Sequence, residues 1–312
     1  MMRSSFFRRL RARFRQRSKA AAAPETAADP EPQPGWPRGH FYSPYADLTE
    51  VARRESVIFG PAPRDIPGVR LREDSQLQLL EELARFYPCQ PFSERKQPGI
   101  RFFFENPNYS YGDAIVLYCM IRYLRPKRII EVGSGFSSCV ILDTNDQAFD
   151  GRIECIFVEP HPDLLSSLLL EGDEQRFELM DMQVQDVDLR RFAELEEGDI
   201  LFLDSSHVSK VGSDVNHLFF EVLPRLNRGV HVHFHDIMHP FEYPKEWVYQ
   251  GRAWTEAYLL RSFMQYNEAF VVEFYNSFMA QFHREAVFRA LPLSLKSPGT
   301  SMWLRKVSDS IP

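Results

Sequence analysis

The chain has few cysteines, and no stretch of it is long and apolar enough to cross a membrane. Its four cysteines, at positions 89, 119, 139 and 155, form no C-x-x-C pair. They lie inside apolar runs, so we expect small buried thiols in a reducing compartment. No apolar run approaches the roughly 18 residues that a spanning helix needs, and the N-terminus lacks the apolar region of a secretory signal. The sequence therefore predicts a cytoplasmic protein.

Basic residues are scarce outside the N-terminus. Of the 37 Lys and Arg residues, eight fall in residues 1–20, which carry no acid, so the remaining 29 face 43 acidic residues for a net charge of −14. Such an acidic body binds nucleic acid poorly, because phosphate neutralisation needs clustered cations. In the basic segment, Phe7, Leu10 and Phe14 have helical spacing. That spacing is compatible with an amphipathic helix on an anionic membrane, with a transit peptide, or with a solvated tail.

Three regions follow from composition and periodicity. Residues 1–38 end in an Ala- and Pro-rich acidic stretch and are predicted to be a disordered tail and linker. Residues 39–109 are predicted to form an arm, with one helix around Leu77–Phe86, that packs on the main domain. From residue 110 to 312, short apolar runs alternate with helical patterns. Alternation of this kind predicts an α/β fold with a doubly wound, mostly parallel sheet.

The predicted elements of this main domain can be given by their residue ranges. A first helix is predicted to be N-capped by Asp113 and to run to Tyr123. The predicted strands are 128–132, 153–158, 177–184, 200–203, 230–235, 270–275 and 301–305, and later helices are predicted over 138–144, 162–170, 214–226 and 255–266. In such sheets, ligands bind at the carboxyl ends of the strands.

The strongest local motif follows the first predicted strand. The run Glu131-Val-Gly-Ser-Gly-Phe-Ser-Ser138 leads an apolar strand into a Gly-x-Gly turn and opens a helix. Glycines permit the sharp turn, and a helix N-terminus offers free N–H groups to a ligand. Glu159 ends the next strand, where it can accept hydrogen bonds from two ribose hydroxyls. A dinucleotide site would not need Glu131 and would favour glycine at Ser138.

On these residues the chain resembles the class I S-adenosylmethionine-dependent methyltransferases. The resemblance covers roughly residues 110–306 and implies a seven-stranded sheet whose last strand is antiparallel. It implies that S-adenosylmethionine is the cofactor, with Glu159 on its ribose and Gln185 and Asp186 beside its adenine. The methionine part would be held by Glu131, Gly133, Ser134, Gly135, Phe136, Ser137 and Ser138.

A second cluster joins the ends of the fourth and fifth predicted strands. Asp204 ends one apolar run, and His207 follows three residues later. In the run Val230–Asp236, alternation places His231, His233 and His235 on one face of a strand. We expect His231 and His233 to be buried and hydrogen-bonded. Asp204, His235 and Asp236 would then converge at the strand ends as ligands of a divalent cation, Mg²⁺ or Mn²⁺ before Fe²⁺ or Zn²⁺.

This cluster is similar to that of the macrocin-type sugar O-methyltransferases, which are metal-dependent. The resemblance implies that Asp204 is a metal ligand beside the cofactor and that His207, three residues later, is the catalytic base. The family has Glu-Asp where this chain has His235-Asp236. The aromatic, Pro-rich segment 238–249 is predicted either to form the acceptor wall, through Phe241, Tyr243 and Trp247, or simply to pack.

The sequence thus predicts a methyltransferase that acts on a hydroxyl of a small molecule or glycan, with cation assistance. Two other classes stay open. A metal-dependent oxygenase or hydrolase would use the His-rich strand but would leave Glu131 and Glu159 without a role. A non-catalytic module would bind the cofactor without transferring a methyl group. The oligomeric state has no signal in the sequence.

Overall fold

The computed structural model describes residues 35–308, which form two units. Residues 35–48 form a small aromatic unit, in which the rings of Trp36 and His40 stack and the guanidinium of Arg38 lies over the ring of Tyr45. Residues 49–308 form the second unit, which contains the sheet.

The sheet has seven strands in the order β3-β2-β1-β4-β5-β7-β6. Strands β1 to β5 are parallel, and β7 is antiparallel to both β5 and β6. The strands are β1 (Arg128–Val132), β2 (Glu154–Val158), β3 (Glu178–Met180), β4 (Ile200–Leu203), β5 (His231–Phe234), β6 (Phe270–Tyr275) and β7 (Met302–Lys306). This arrangement confirms the predicted doubly wound, mostly parallel sheet with an antiparallel last strand.

Helices precede and connect the strands. In chain order they are α1 (Leu48–Arg53), α2 (Glu55–Ile58), α3 (Glu73–Ala84), α4 (Tyr111–Leu124), α5 (Phe136–Phe149), α6 (Asp163–Leu168), α7 (Arg190–Ala193), α8 (Asp214–His217), α9 (Leu223–Arg225), α10 (Lys245–Tyr249), α11 (Glu256–Met264), α12 (Asn276–Phe282) and α13 (Arg284–Ala290). A π-helical turn, Leu218–Val222, joins α8 to α9. Pro224 lacks the amide hydrogen that a regular α-helix would use there, which accounts for the irregular turn.

The central strands are buried on both faces. Every residue of β4 and β5 is buried, as are the last four residues of β1. Strands covered on both sides lose the polar alternation of a surface sheet, which is why these segments read as continuous apolar runs. The two strands β1 and β4 place their carboxyl ends side by side, with Val132 paired to Leu203. The residues that follow them therefore lie close together.

Three sequence predictions need correction. The third strand is only Glu178–Met180, because it pairs on one side alone, with Ile156–Val158, and the chain then turns into a 3₁₀ helix at Val184–Asp186. Asp113 does not cap α4, which begins at Tyr111. Cys89 is exposed, whereas the other three cysteines are buried.

Candidate functional site

The glycine loop after β1 packs directly against the end of β4. Gly133 has a positive φ of 86°, and a Cβ atom there would lie 1.7 Å from the carbonyl oxygen of Asp204. Only glycine can occupy this position, because any side chain would collide with the neighbouring backbone. The close approach joins the predicted cofactor loop to the predicted metal cluster.

Glu131 is a buried carboxylate with an unused oxygen. Its Oε2 accepts a hydrogen bond from the Ser138 hydroxyl, and its Oε1 has no hydrogen-bond partner among residues 35–308. Burial raises the pKa of Glu131 to about 8. An unsatisfied buried carboxylate oxygen is costly. A cationic ligand at this strand end would remove that cost.

Glu159 holds the loop in place from the next strand. Its half-buried carboxylate accepts hydrogen bonds from the backbone N–H of Ser134, at 3.0 Å, and of His161, at 2.7 Å. These bonds leave further lone pairs for a ligand hydroxyl. Glu159 therefore shapes the site and can also contact what binds there.

The remaining predicted cofactor residues differ in exposure. Phe136 is buried, and its ring lies edge-on to that of Phe103, with centroids 5.8 Å apart. Gln185 donates a hydrogen bond to the Gly212 carbonyl at 2.9 Å, and Asp186 is exposed. Phe136 therefore contributes packing, whereas Asp186 is free to meet a ligand at the edge of the sheet.

Asp204, His207 and Asp236 form a cluster at the ends of β4 and β5. One ligand atom from each lies within 4.8 Å of the other two. The Nε2 atom of His207 is 3.3 Å from Asp204 Oδ1 and 3.6 Å from Asp236 Oδ2. His207 and Asp236 both have left-handed backbone, with φ near 60° and 55°. Non-glycine residues adopt this conformation at an energetic cost that is commonly retained at functional sites.

A buried carboxylate fixes the imidazole of His207. The Nδ1 atom of His207 donates to Glu256 Oε2 at 2.8 Å, and Glu256 is 2 % exposed. The amides of Thr255 and Glu256 also donate to the His207 carbonyl. Burial would lower the pKa of His207, but the carboxylates of Asp204 and Glu256 raise it to about 10. The ring of Trp254 covers the imidazole, with centroids 4.4 Å apart.

His235 lies on the other side of Asp204. Its Nδ1 is 3.4 Å from Asp204 Oδ1 and 3.7 Å from Asp236 Oδ1, and its Nε2 is 3.5 Å from Asp113 Oδ2. Neither nitrogen makes a hydrogen bond to any residue between 35 and 308, although both are buried. Burial opposes the imidazolium, but the carboxylates of Asp204 and Asp236 raise the pKa of His235 well above its ordinary value.

The other two histidines of β5 have structural roles, as the sequence predicts. His231 Nδ1 bonds Glu273 Oε2 at 2.5 Å, and His233 Nε2 bonds the Ser301 hydroxyl at 2.8 Å. His233 also stacks on the Phe202 ring, and burial lowers its pKa to about 3, so it is neutral. Of His231, His233 and His235, only His235 has its imidazole beside Asp204 and Asp236.

The predicted acceptor wall is mostly core. Phe241 and Tyr243 are 1 % and 4 % exposed, and the Tyr243 hydroxyl accepts from the Ala257 amide. Trp247 is partly exposed and lies edge-on to Trp254, while the guanidinium of Arg252 lies over both indoles. The packing interpretation thus holds for Phe241 and Tyr243.

Sequence reasoning missed Glu256, Asp113 and Trp254 as parts of this site. Glu256 begins a helix that the sequence does predict, but its histidine lies 49 positions earlier. Asp113 was assigned to a helix cap, whereas its carboxylate accepts from the Thr300 and Ser301 amides. No local pattern reveals such contacts.

A family model described as a methyltransferase domain matches residues 130–237, from β1 to just beyond β5. That segment contains the glycine loop, Glu159 and the whole Asp204 cluster. The sheet order and the site at its carboxyl edge define the class: this is a class I S-adenosylmethionine-dependent methyltransferase.

A relative shares more of the chain. An uncharacterized protein of Archaeoglobus fulgidus is 35 % identical over 167 residues, which cover 52 % of this chain and 74 % of the relative. The chain belongs to the same family as this archaeal protein.

Several solved structures are distantly similar. TomG of Streptomyces achromogenes, an O-methyltransferase in complex with S-adenosylmethionine, is 12 % identical, with 82 % of this chain and 96 % of TomG covered and a TM-score of 0.42. A structure of CmcI with Mg and S-adenosylmethionine is 17 % identical, with 63 % and 72 % covered and a TM-score of 0.36. The fold of the present chain rests on its own sheet order rather than on these likenesses.

None of the helices in residues 35–308 has the length and apolar composition needed to span a membrane.

Proposed function

We propose that the protein transfers the methyl group of S-adenosylmethionine to a hydroxyl oxygen of a small molecule or glycan, with the assistance of a divalent cation. The observation that carries the proposal is the cluster of Asp204, His207 and Asp236, whose ligand atoms lie within 4.8 Å of one another beside the cofactor loop. Two carboxylates and an imidazole are a donor set suited to a divalent cation.

The residues around the glycine loop fit the cofactor. The free Oε1 of Glu131 offers an anionic partner to an ammonium group, and Gly133 leaves room for close approach to the backbone. Glu159 would accept hydrogen bonds from ribose hydroxyls, and Gln185 and Asp186 would lie at the adenine. The cofactor supplies a methyl group on a sulfonium, which needs only alignment with the acceptor oxygen.

The acidic cluster would hold the cation and the acceptor. Asp204 and Asp236 are half-buried, and Thr300 donates its hydroxyl to Asp236 Oδ1 at 3.0 Å, which fixes that carboxylate. A bound cation would lower the pKa of a coordinated hydroxyl, so that it ionises near neutral pH. Asp204 and Asp236 would thus hold the cation, and the cation would hold the acceptor oxygen.

The role of His207 follows from which nitrogen is free. Since Nδ1 is committed to Glu256, only Nε2 can act, and it faces Asp204 and Asp236. In the arrangement that the sequence predicts, His235 completes the ligand set. A cation between the aspartates would then lower the raised pKa of His207, so that its Nε2 can accept the proton of the acceptor. In the second arrangement His207 Nε2 is itself a ligand. Both arrangements use Asp204 and Asp236.

Calorimetry and a chelation assay test the proposal. The purified full-length chain should bind S-adenosylhomocysteine and should not bind NAD. With a panel of sugars and phenols as acceptors, S-adenosylhomocysteine formation should stop after dialysis against a chelator and resume with added Mn²⁺ or Mg²⁺. Full activity in chelator would refute cation assistance. Turnover of any acceptor without S-adenosylmethionine would instead favour the oxygenase or hydrolase class, and binding without turnover the non-catalytic module.

The N-terminal basic segment lies outside the described residues. We propose that the protein is cytoplasmic and that this segment binds it to anionic membranes. Eight cationic side chains and three apolar residues at helical spacing support the membrane contact. Removal of residues 1–38 should abolish salt-sensitive binding to vesicles of anionic lipid and leave S-adenosylhomocysteine affinity unchanged. Equal binding of both forms would contradict the proposal.

A further inference from the structure

Glu256 and His207 form a pair that is fully enclosed by protein. Glu256 is 2 % exposed and His207 5 %, and their hydrogen bond fixes the ring orientation. The backbone contacts between His207 and the start of α11 add to this, and Ser209 N–H donates to the Thr255 hydroxyl at 2.7 Å. Turning Nε2 away from the two aspartates would break the ring's bond to Glu256, and the other bonds fix the backbone that carries the ring.

Asp113 lies beside His235, but without the hydrogen bond that joins Glu256 to His207. Its carboxylate lies 3.5 Å from His235 Nε2 and accepts from the amides of Thr300 and Ser301. These bonds hold the segment that carries Thr300, whose hydroxyl reaches Asp236. The Nδ1 of His235, which has no hydrogen-bond partner among residues 35–308, is directed at Asp204 and Asp236.

We infer that both imidazoles are metal ligands, with His207 Nε2 and His235 Nδ1 joining Asp204 and Asp236 in a centre of two histidines and two aspartates, and that Glu256 and Asp113 are the residues that position the two histidines. This inference rests on the proposed function, in which a cation binds between the aspartates. It goes further by assigning His207 to the ligands and by naming the carboxylate behind each ring.

The donor set determines which ions should bind. Carboxylate and water suit Mg²⁺, whereas imidazole suits Zn²⁺, Fe²⁺ and the other later ions of the first transition row. A histidine ligand commonly donates its second nitrogen to a carboxylate, which fixes the tautomer and makes the ligand more basic. Glu256 makes this bond to His207. Two imidazoles beside Asp204 and Asp236 would favour a transition metal over Mg²⁺ at this centre.

Titration of the metal-free, full-length chain with Co²⁺, Mn²⁺ and Mg²⁺ tests the inference without any acceptor. Calorimetry should show tighter binding of Co²⁺ and Mn²⁺ than of Mg²⁺. Pulsed electron paramagnetic resonance on the Mn²⁺ form should detect coupling to imidazole nitrogen from two histidines, and one coupling should disappear in His207→Ala. Glu256→Gln, which keeps the shape of the side chain, should weaken Co²⁺ binding about 10- to 100-fold.

The far end of β5 provides a matched control. Glu273 bonds His231 as Glu256 bonds His207, but at the opposite end of the strand. Glu273→Gln should leave Co²⁺ affinity unchanged. S-adenosylhomocysteine affinity and cooperative thermal unfolding should be retained in Glu256→Gln, which excludes a general loss of structure. Asp113→Asn should also weaken Co²⁺ binding.

Three results would overturn the inference: Mn²⁺ bound without nitrogen coupling, Mg²⁺ bound as tightly as Co²⁺, or wild-type Co²⁺ affinity in Glu256→Gln. Each leaves the proposed function intact if methyl transfer still needs a cation. Methyl transfer that persists in chelator, in a protein that binds none of the three ions, would refute the cation assistance in the proposed function as well.

Discussion

The two ends of strand β5 carry the same residue type in opposite states. At the amino end, His231 bonds Glu273, whose other oxygen forms an ion pair with Arg305 at 2.9 Å, so both oxygens of Glu273 have partners. At the carboxyl end, both nitrogens of His235 are buried without a hydrogen-bond partner among residues 35–308, and three aspartates surround them. The two ends therefore differ in whether the polar groups around the histidine are hydrogen-bonded.

The difference shows that alternation along a strand does not reveal function. His231, His233 and His235 share one face, and each is at most 6 % exposed. What separates them is which distant segments supply their neighbours: β6 for His231, the segment before β7 for His233, and the ends of α4 and β4 for His235. In parallel sheets, loops converge at the carboxyl edge, where ligands bind.

The largest expected contrast is between the cluster histidine and the structural one. His207→Ala should lower turnover by about 10²- to 10⁴-fold, whether the imidazole is lost as base or as ligand. His231→Ala should retain turnover, because the His231 ring lies at the end of β5 opposite to the cluster. Initial rates at saturating S-adenosylmethionine measure both variants.

Excess metal separates the two roles of His207. If the imidazole is a ligand, high Co²⁺ or Mn²⁺ should restore part of the activity of His207→Ala, since the other ligands persist. If it is only a base, added metal should have no effect. A fully active His207→Ala would exclude both roles.

The same comparison applies to β2, with Glu154 at its amino end and Glu159 just after its carboxyl end. Glu159→Ala should weaken S-adenosylhomocysteine binding by about 1–3 kcal/mol, from the loss of charge-assisted hydrogen bonds. Glu154 forms an exposed ion pair with Arg128 at 2.8 Å, and such pairs contribute little. Calorimetry should therefore find wild-type affinity in Glu154→Ala, and equal losses in both variants would contradict a cofactor site at this edge.

Stability should follow the opposite order at β5. Glu273→Gln removes the charge that His231 and Arg305 share and should lower the free energy of unfolding by about 1–2 kcal/mol. Thermal unfolding should show a decrease of a few degrees, with cofactor binding unchanged. A loss of cofactor affinity in this variant would mean that the amino edge is not purely structural.

Much of the fold was accessible from the sequence. The bounds of β1, β4 and β6 are as predicted, because each is a short, mainly apolar run between polar or turn residues. The third strand was overextended, since an edge strand pairs on one side only and its pattern is weak. The spacing of Asp204 and His207 is local and was visible. Glu256 and Asp113 reach the cluster through tertiary contacts alone, which no local pattern encodes.

The smallest expected effect is a change in the protonation of Glu131 when the cofactor binds. Burial raises its pKa from 4.5 to about 8, so near pH 7 the cofactor-free protein holds a proton that the unfolded chain does not. The stability contributed by that proton is complete below about pH 4.5 and is lost as the pH rises through about 8.

An ammonium group beside the carboxylate of Glu131 favours its ionised form and lowers this pKa. Binding of S-adenosylmethionine at pH 7 should therefore release up to about one proton, and affinity should rise with pH until about 8. Calorimetry in buffers of different ionisation enthalpy measures the release, and Glu131→Gln should abolish it. Proton uptake by the wild type, or equal release in both proteins, would show that the cofactor's ammonium group does not bind at Glu131.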